Sequence, residues 1–186
     1  TSQSLPYSLE DQVAVDVDTL HFASCPLQDD LYAVAIASRS RMEEWQALLA
    51  EYPGIAHWVP EPLLLPWQAG EWCLVIEGDS AIIRVGQCAG FTVEPSLVNA
   101  LSRSVLEESG APEAIIVYGA DQEADTALLP DTLRDRVQWR RGNFCTALLI
   151  SDAPGTGLNL LQGSYAPQLP LALWWRQWRA VAAVLA

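Results

Sequence analysis

The stretch Glu71-Trp-Cys-Leu-Val-Ile-Glu77, Gly78-Asp79, Ser80-Ala-Ile-Ile-Arg-Val85 constrains the fold most. Two apolar runs joined by a two-residue Gly-Asp loop specify a β-hairpin. Residues from Gly86 to Glu94, through Cys88 and Phe91, extend it by a third strand. Pro95 then opens a helix that runs to about Ser109 and is closed by Gly110. Glu113-Ala-Ile-Ile-Val-Tyr118 is bounded by breakers and reads as a buried strand. The order is β-β-β-α-β. Further on, Asp121 to Asp131 reads as polar and irregular, Leu133 to Arg136 as a short helix and Val137-Gln-Trp139 as a short strand. Phe144 to Ile150 fits helix or strand, and Asn159-Leu-Leu-Gln162 a short extended segment.

Upstream, Leu5, Leu9 and Val13 recur at helical spacing, which predicts a helix over Pro6 to Val15. His21-Phe-Ala-Ser-Cys25 alternates as a strand does. Leu31-Tyr-Ala-Val-Ala-Ile-Ala37 is a continuous apolar run and reads as a buried strand, antiparallel to the first. Ser40 is placed to cap a helix that carries Met42, Trp45, Leu48 and Leu49 on one face and stops at Pro53-Gly54. Ile55-Ala-His-Trp-Val59 reads as another strand, and Pro60-Glu-Pro62 with Pro66 marks a junction. The fold class is therefore α/β (α+β): a small α-β-β-α-β unit over 1–59, then the β-β-β-α-β unit.

Charge and nucleophiles narrow the function. The net charge is −13, and no basic footprint for nucleic acid is present. Lysine is absent, which closes Schiff-base and P-loop lysine chemistry. Cys25, Cys73, Cys88 and Cys145 lack zinc-site spacing and read as reduced, mostly buried small hydrophobes. His21 and His57 are isolated and read as structural. The first thirty residues carry Glu10, Asp11, Asp16, Asp18, Asp29 and Asp30 with no Lys or Arg. They form either a solvated acidic face or a docking surface for a basic partner.

Actin-like and RNase H-like folds open with such a hairpin, and its loop cradles nucleotide phosphates. That task needs a strand-ending Asp and a loop rich in Gly and Ser/Thr, so that backbone N–H groups reach the phosphates. Here Glu77 stands at the Asp position and the loop is only Gly78-Asp79. Ile115-Ile-Val-Tyr-Gly-Ala-Asp121 resembles the strand-plus-glycine pattern that meets adenosine, with one glycine instead of two. The scaffold is expected without the nucleotide chemistry, so no catalytic residue, cofactor or metal is assigned.

The C-terminal segment Leu173-Trp-Trp-Arg-Gln-Trp-Arg179 precedes an apolar run, Ala180 to Ala186. Trp174, Trp175, Arg176, Trp178 and Arg179 fit the aromatic and cationic flank of a membrane insertion point. Taken alone, the tail reads equally as an amphipathic helix packed on its own domain, because short apolar runs are ambiguous.

Three segments carry a family resemblance: Gln3-Ser-Leu-Pro-Tyr-Ser-Leu-Glu-Asp-Gln12 with Asp16-Val-Asp-Thr-Leu-His-Phe22, Pro62-Leu-Leu-Leu-Pro66, and Asn159-Leu-Leu-Gln-Gly-Ser-Tyr-Ala-Pro167. In order and spacing the chain resembles the cytoplasmic part of the type II secretion system protein L family (GspL). Pro60-Glu61-Pro62 departs from the usual Pro-Asp before the leucines.

The resemblance implies a partial actin-like (RNase H-like) fold without ATPase activity, at the cytoplasmic face of the bacterial inner membrane. It implies docking to the N-terminal domain of the secretion ATPase (GspE). It also implies contact with the M protein through regions absent from this chain, a membrane helix, and a homodimer. The expected division is 1–59 small α/β subdomain, 60–167 actin-like subdomain, and 168–186 juxtamembrane segment with the start of a transmembrane helix. The family's first portion and everything past the start of that helix would be missing. Glu10, Asp11, Asp16 and Asp18 are the candidate ATPase-docking residues. The expected function is a non-catalytic scaffold. The alternatives are an actin-like ATP-binding protein or pilus-assembly relative, and a soluble enzyme with an ordinary packed terminal helix.

Overall fold

The computed structural model describes residues 15–27, 31–52, 54–151 and 157–167. The helix expected over Pro6 to Val15 lies outside them except for Val15. The described chain builds two sheets. Strands β1 (Leu20–Pro26) and β2 (Tyr32–Ser38) pair antiparallel, with Phe22 opposite Ile36 and Cys25 opposite Ala33. A helix α1 (Arg39–Leu48) follows. The larger sheet comprises β3 (Glu71–Glu77), β4 (Ser80–Gly86), β5 (Ala89–Val93), β6 (Ala114–Gly119) and β7 (Val137–Arg141). Helices α2 (Val98–Ser109), α3 (Gln122–Ala127), α4 (Asp131–Arg134) and α5 (Phe144–Ile150) connect or flank its strands.

The strand order of the larger sheet is β5-β4-β3-β6-β7. β3, β4 and β5 form an antiparallel meander, and β6 and β7 join parallel to β3. This is the RNase H-like arrangement expected from the hairpin, and Gly78 takes the left-handed backbone (φ 58°) that its turn requires. β3 is buried on both faces, which explains its unbroken apolar run. Alternation sends Trp72 and Leu74 to a core with Val98, Ile115, Leu129 and Leu133. Cys73 and Val75 go to the opposite core with Leu65, Ile82, Tyr118 and Ala147. The sheet is thus covered by helices on both sides.

Several local expectations are corrected. β2 is half-buried: Ala33, Ala35 and Ala37 pack inward, whereas Tyr32 is 60% and Ile36 43% exposed. The packing falls on one face of this strand, so its apolar run alternates between core and surface. Ser38, not Ser40, caps α1, accepting from the Arg41 N–H at 3.3 Å. Only Met42 of that helix's expected apolar face is fully buried; Leu48 is 75% exposed. Ile55 to Val59 enters no ladder. The Asn159 side chain ties it down instead, as shown below. Asp121 to Asp131 is not irregular: Asp121 caps α3, accepting from the N–H groups of Glu123 and Ala124. Phe144 to Ile150 resolves as helix, with Asn143 and Thr146 forming a capping box.

The Pro60–Pro66 junction is fastened to the larger sheet. Glu61–Leu64 forms a 3-10 turn that buries Leu63, and Leu65 follows it into the core. Arg84 on β4, 5% exposed, donates from Nη1 to the carbonyls of Leu63 (2.9 Å) and Leu65 (2.6 Å). Its Nη2 donates to Gln87 O at 2.7 Å and its Nε to Gly86 O at 3.1 Å. The guanidinium also lies 5.7 Å from the centre of the Trp67 ring. Burial lowers the Arg84 pKa from its ordinary value, but guanidinium is basic enough to stay charged. Opposite Arg84, Gly90 lets the junction approach. A Cβ there would lie 2.6 Å from Ile83 O and 2.7 Å from Pro62 Cβ.

Candidate functional site

The first candidate is the position where a nucleotide would sit, beside the β3–β4 turn. Glu77 ends β3, and its carboxylate accepts the Phe144 N–H of α5 at 3.1 Å. The Asn143 side chain accepts the Thr146 N–H at 3.0 Å. The N–H groups of Phe144 and Thr146, at the start of α5, are therefore engaged by the protein's own acceptors. The end of β6 is filled in a similar way. The Asp125 carboxylate, 6% exposed, accepts from Asp121 N–H (3.1 Å) and Trp139 Nε1–H (3.0 Å). A Cβ on Gly119 would lie 2.1 Å from Asp125 Oδ2, so the single glycine admits this carboxylate. The sequence places Asp125 in a stretch that reads as polar and irregular. A buried acid inside a six-residue helix leaves no periodic mark.

The second candidate is the acidic turn. Asp16 and Asp18 flank and enter a 3-10 turn at Val17–Thr19, and both are exposed. Asp16 Oδ1 accepts the Asp18 N–H at 2.9 Å, and Arg39 Nε–H donates to Asp18 O at 3.0 Å. The structure brings these two carboxylates onto one turn with a cation beside it. His21 does not join them. It is 5% exposed, and its Nε2 lies 2.7 Å from Leu160 O. A carbonyl only accepts, so Nε2 carries the proton. Its ring meets Tyr165 edge-on at 4.8 Å. Glu10 and Asp11, and the tail residues Trp174, Trp175, Arg176, Trp178 and Arg179, lie outside the described residues. Among the described residues, no helix is long and apolar enough to cross a membrane.

The third feature is the segment Leu158–Tyr165, which acts as a clasp. Asn159 Oδ1 accepts from Trp58 N–H (2.9 Å) and Leu161 N–H (3.0 Å). Its Nδ2–H donates to Ala56 O at 3.0 Å. The Gln162 amide pairs with both backbone groups of Ser24 in β1, at 3.1 and 2.9 Å. Leu160, Leu161 and Tyr165 pack with Ala23 and Met42, while Leu158 packs with Cys25 and Leu63. The clasp also borders an apolar groove of about 630 Å³ between Trp45, Ile55, Trp58, Leu64 and Leu160. Sequence reasoning marked this motif by resemblance and missed its structural task, since an amide that replaces a strand partner shows no periodicity. Replacing Asn159 by Ala would orphan three backbone groups. We expect a loss of about 2 kcal/mol in urea unfolding. A loss below ~0.5 kcal/mol, within the range of ordinary surface substitutions, would show that water replaces the amide.

The comparisons with known proteins agree with this geometry. The family model "Type II secretion system (T2SS), protein L" matches residues 1–168. The type II secretion system protein L of Dickeya chrysanthemi is 26% identical over 189 residues, covering 98% of this chain and 43% of that protein. That of Vibrio cholerae serotype O1 is 24% identical over 185 residues, covering 96% of this chain and 43% of that protein. The chain thus spans less than half the length of these curated relatives. A solved structure, the cytoplasmic domain of EpsL, an inner membrane component of the type II secretion system of Vibrio cholerae, superposes with a TM-score of 0.67 at 21% identity. It covers 88% of this chain and 67% of that chain, and it supports the mixed α/β, actin-like fold. The chain belongs to the protein L family of the type II secretion system.

Proposed function

We propose that this chain is a non-catalytic scaffold of the type II secretion system, at the cytoplasmic face of the inner membrane. It links the cytoplasmic secretion ATPase (GspE) to the membrane platform. The observation that carries the non-catalytic reading is the engagement of Glu77, Asn143 and Asp125 with the chain's own backbone and Trp139. A nucleotide would have to break these bonds to use the donors that they hold. In this reading 1–59 and 60–167 are the two subdomains. The clasp returns from the second onto the first, and 168–186 leads into the membrane through Trp174, Trp175, Arg176, Trp178 and Arg179. The partners are the N-terminal domain of the ATPase, the M protein through regions outside this chain, and a second copy. Glu10, Asp11, Asp16 and Asp18 are the proposed ATPase-docking surface, with no cofactor required.

Two measurements test this. ATP with magnesium should leave the melting temperature unchanged. A ligand at 100 times its dissociation constant would add about 2.7 kcal/mol of stability, and a clear upward shift would favour an ATP-binding relative instead. Charge reversal at Asp16→Lys and Asp18→Lys together should weaken capture of the ATPase N-terminal domain about tenfold or more, with salt dependence lost in parallel. Undiminished capture would remove the acidic turn from the interface.

A further inference from the structure

Two cysteines from different sheets meet at the core between them. Cys25 ends the inward row of β1 and is 4% exposed. Cys88 lies in the turn between β4 and β5 and is half-buried. Their sulfurs are 3.9 Å apart, although 63 positions separate them in sequence. Leu63, Leu158, Ala33 and Val59 surround them. The turn is held from below, because Arg84 binds the carbonyls of Gly86 and Gln87. A disulfide has its sulfurs about 2.05 Å apart. Closing the bond therefore needs the two sulfurs to approach by about a further 2 Å, at a turn and a strand end that already hold them in contact.

We propose that Cys25 and Cys88 form a redox site, a dithiol that low-molecular-weight disulfides such as oxidised glutathione close into a bond joining the two sheets. The half-buried Cys88 is the one an oxidant reaches. Its thiolate attacks one sulfur of the incoming disulfide; that S–S bond breaks, and one thiol leaves. The Cys25 sulfur then attacks the Cys88 sulfur of the mixed disulfide and releases the second thiol. Two S–H bonds are lost, one S–S bond forms, and the oxidant takes up both electrons and both protons. Burial, reinforced by the Cys25 sulfur beside it, pushes the Cys88 thiol up to about 11. Few molecules carry the thiolate at neutral pH, so closure is slow there and quickens about tenfold per pH unit. In a reducing compartment the pair stays open. When oxidised, it fixes the β1–β2 unit, and the acidic turn that precedes β1, against the larger sheet.

The other cysteines serve as internal controls. Cys73 is buried on β3, its thiol pushed up to about 12 by burial, and Cys145 is exposed on α5. The experiment uses the Cys145→Ser protein, which lacks the exposed thiol of α5. It is incubated with oxidised glutathione, blocked with an alkylating agent, and mapped by mass spectrometry. The expected product is a Cys25–Cys88 linked peptide pair, two hydrogens lighter than the dithiol. The melting temperature should rise about 5–10 °C and fall back with dithiothreitol. Cys25→Ser and Cys88→Ser should each abolish both signals. The same oxidant must form disulfides in the urea-unfolded chain, which shows that it is active. With that control positive, the proposal is overturned if the folded protein yields alkylated Cys25 and Cys88, or yields a link that involves Cys73.

Discussion

Arg84→Met should be the most damaging single substitution outside the apolar core, at about 3–5 kcal/mol. Two opposing effects set the figure. Removing a buried cation relieves its desolvation cost, and a well-packed apolar replacement of a buried ion can be neutral. Here, however, the partners are not charges that leave with it. They are the carbonyls of Leu63 and Leu65, which stay buried, and those of Gly86 and Gln87, which are part-buried. Each buried acceptor left unpaired costs about 1–3 kcal/mol, so the buried carbonyls of Leu63 and Leu65 outweigh the relief, and the part-buried ones of Gly86 and Gln87 add less because water reaches them. Lysine would not rescue the loss, because a point charge cannot imitate a guanidinium fork spread over four acceptors. Urea unfolding at constant m-value reads the change. A loss under ~1 kcal/mol would mean that water enters and solvates the junction, which would remove Arg84 as its fastener.

Gly90→Ala is expected to follow closely, at about 3 kcal/mol, near the upper end for overpacking. The cause is steric and not conformational, since Gly90 is absent from the positive-φ glycines. One of the two atoms in the way is a ladder carbonyl, Ile83 O, and the other is Pro62 Cβ in a rigid turn. Neither can swing aside as the tip of a long side chain would. Relief comes when the 3-10 turn at Glu61–Leu64 lifts, which pulls Leu63 O and Leu65 O away from Arg84. The two substitutions therefore damage one structure. In the double variant their costs should sum to less than the separate values by about 1 kcal/mol or more. Full additivity would mean that β5 and the junction yield independently.

Legibility from sequence followed the number of residues that specify each feature. The larger sheet could be read because Glu71 to Val85 repeats one instruction over two strands and a Gly turn. The topology then followed from Pro95, Gly110 and the run before Tyr118. Features made by single side chains could not be read. Nothing in the pattern says that Arg84 points inward, since β4 tolerates it at one position among Ala81, Ile82 and Ile83. Asp125 looks like its neighbours Glu123 and Asp121 until the indole N–H of Trp139 is placed against it. Ile55 to Val59 has strand composition, yet it meets the Asn159 amide and the Leu160 N–H instead of a ladder. The candidate docking residues divide in the same way. Asp16 and Asp18 share a turn because Asp16 caps it, a local signal, whereas the role of the 158–167 motif depends on residues more than one hundred positions away.

The clasp also sets a timetable for synthesis. His21 waits for Leu160, 139 positions later, and Ser24 waits for Gln162, 138 positions later. At about 5–20 residues per second, the ribosome needs on the order of 7–30 s to make the intervening chain. Throughout that interval the two-stranded sheet has its strands but not the side chains that seal it, and an isolated hairpin is marginal in water. The larger sheet, whose pairings need no residue past Arg141, can close first. β1 and β2, made before the larger sheet, are then secured after it, and they stay open to chaperones and proteases through that interval.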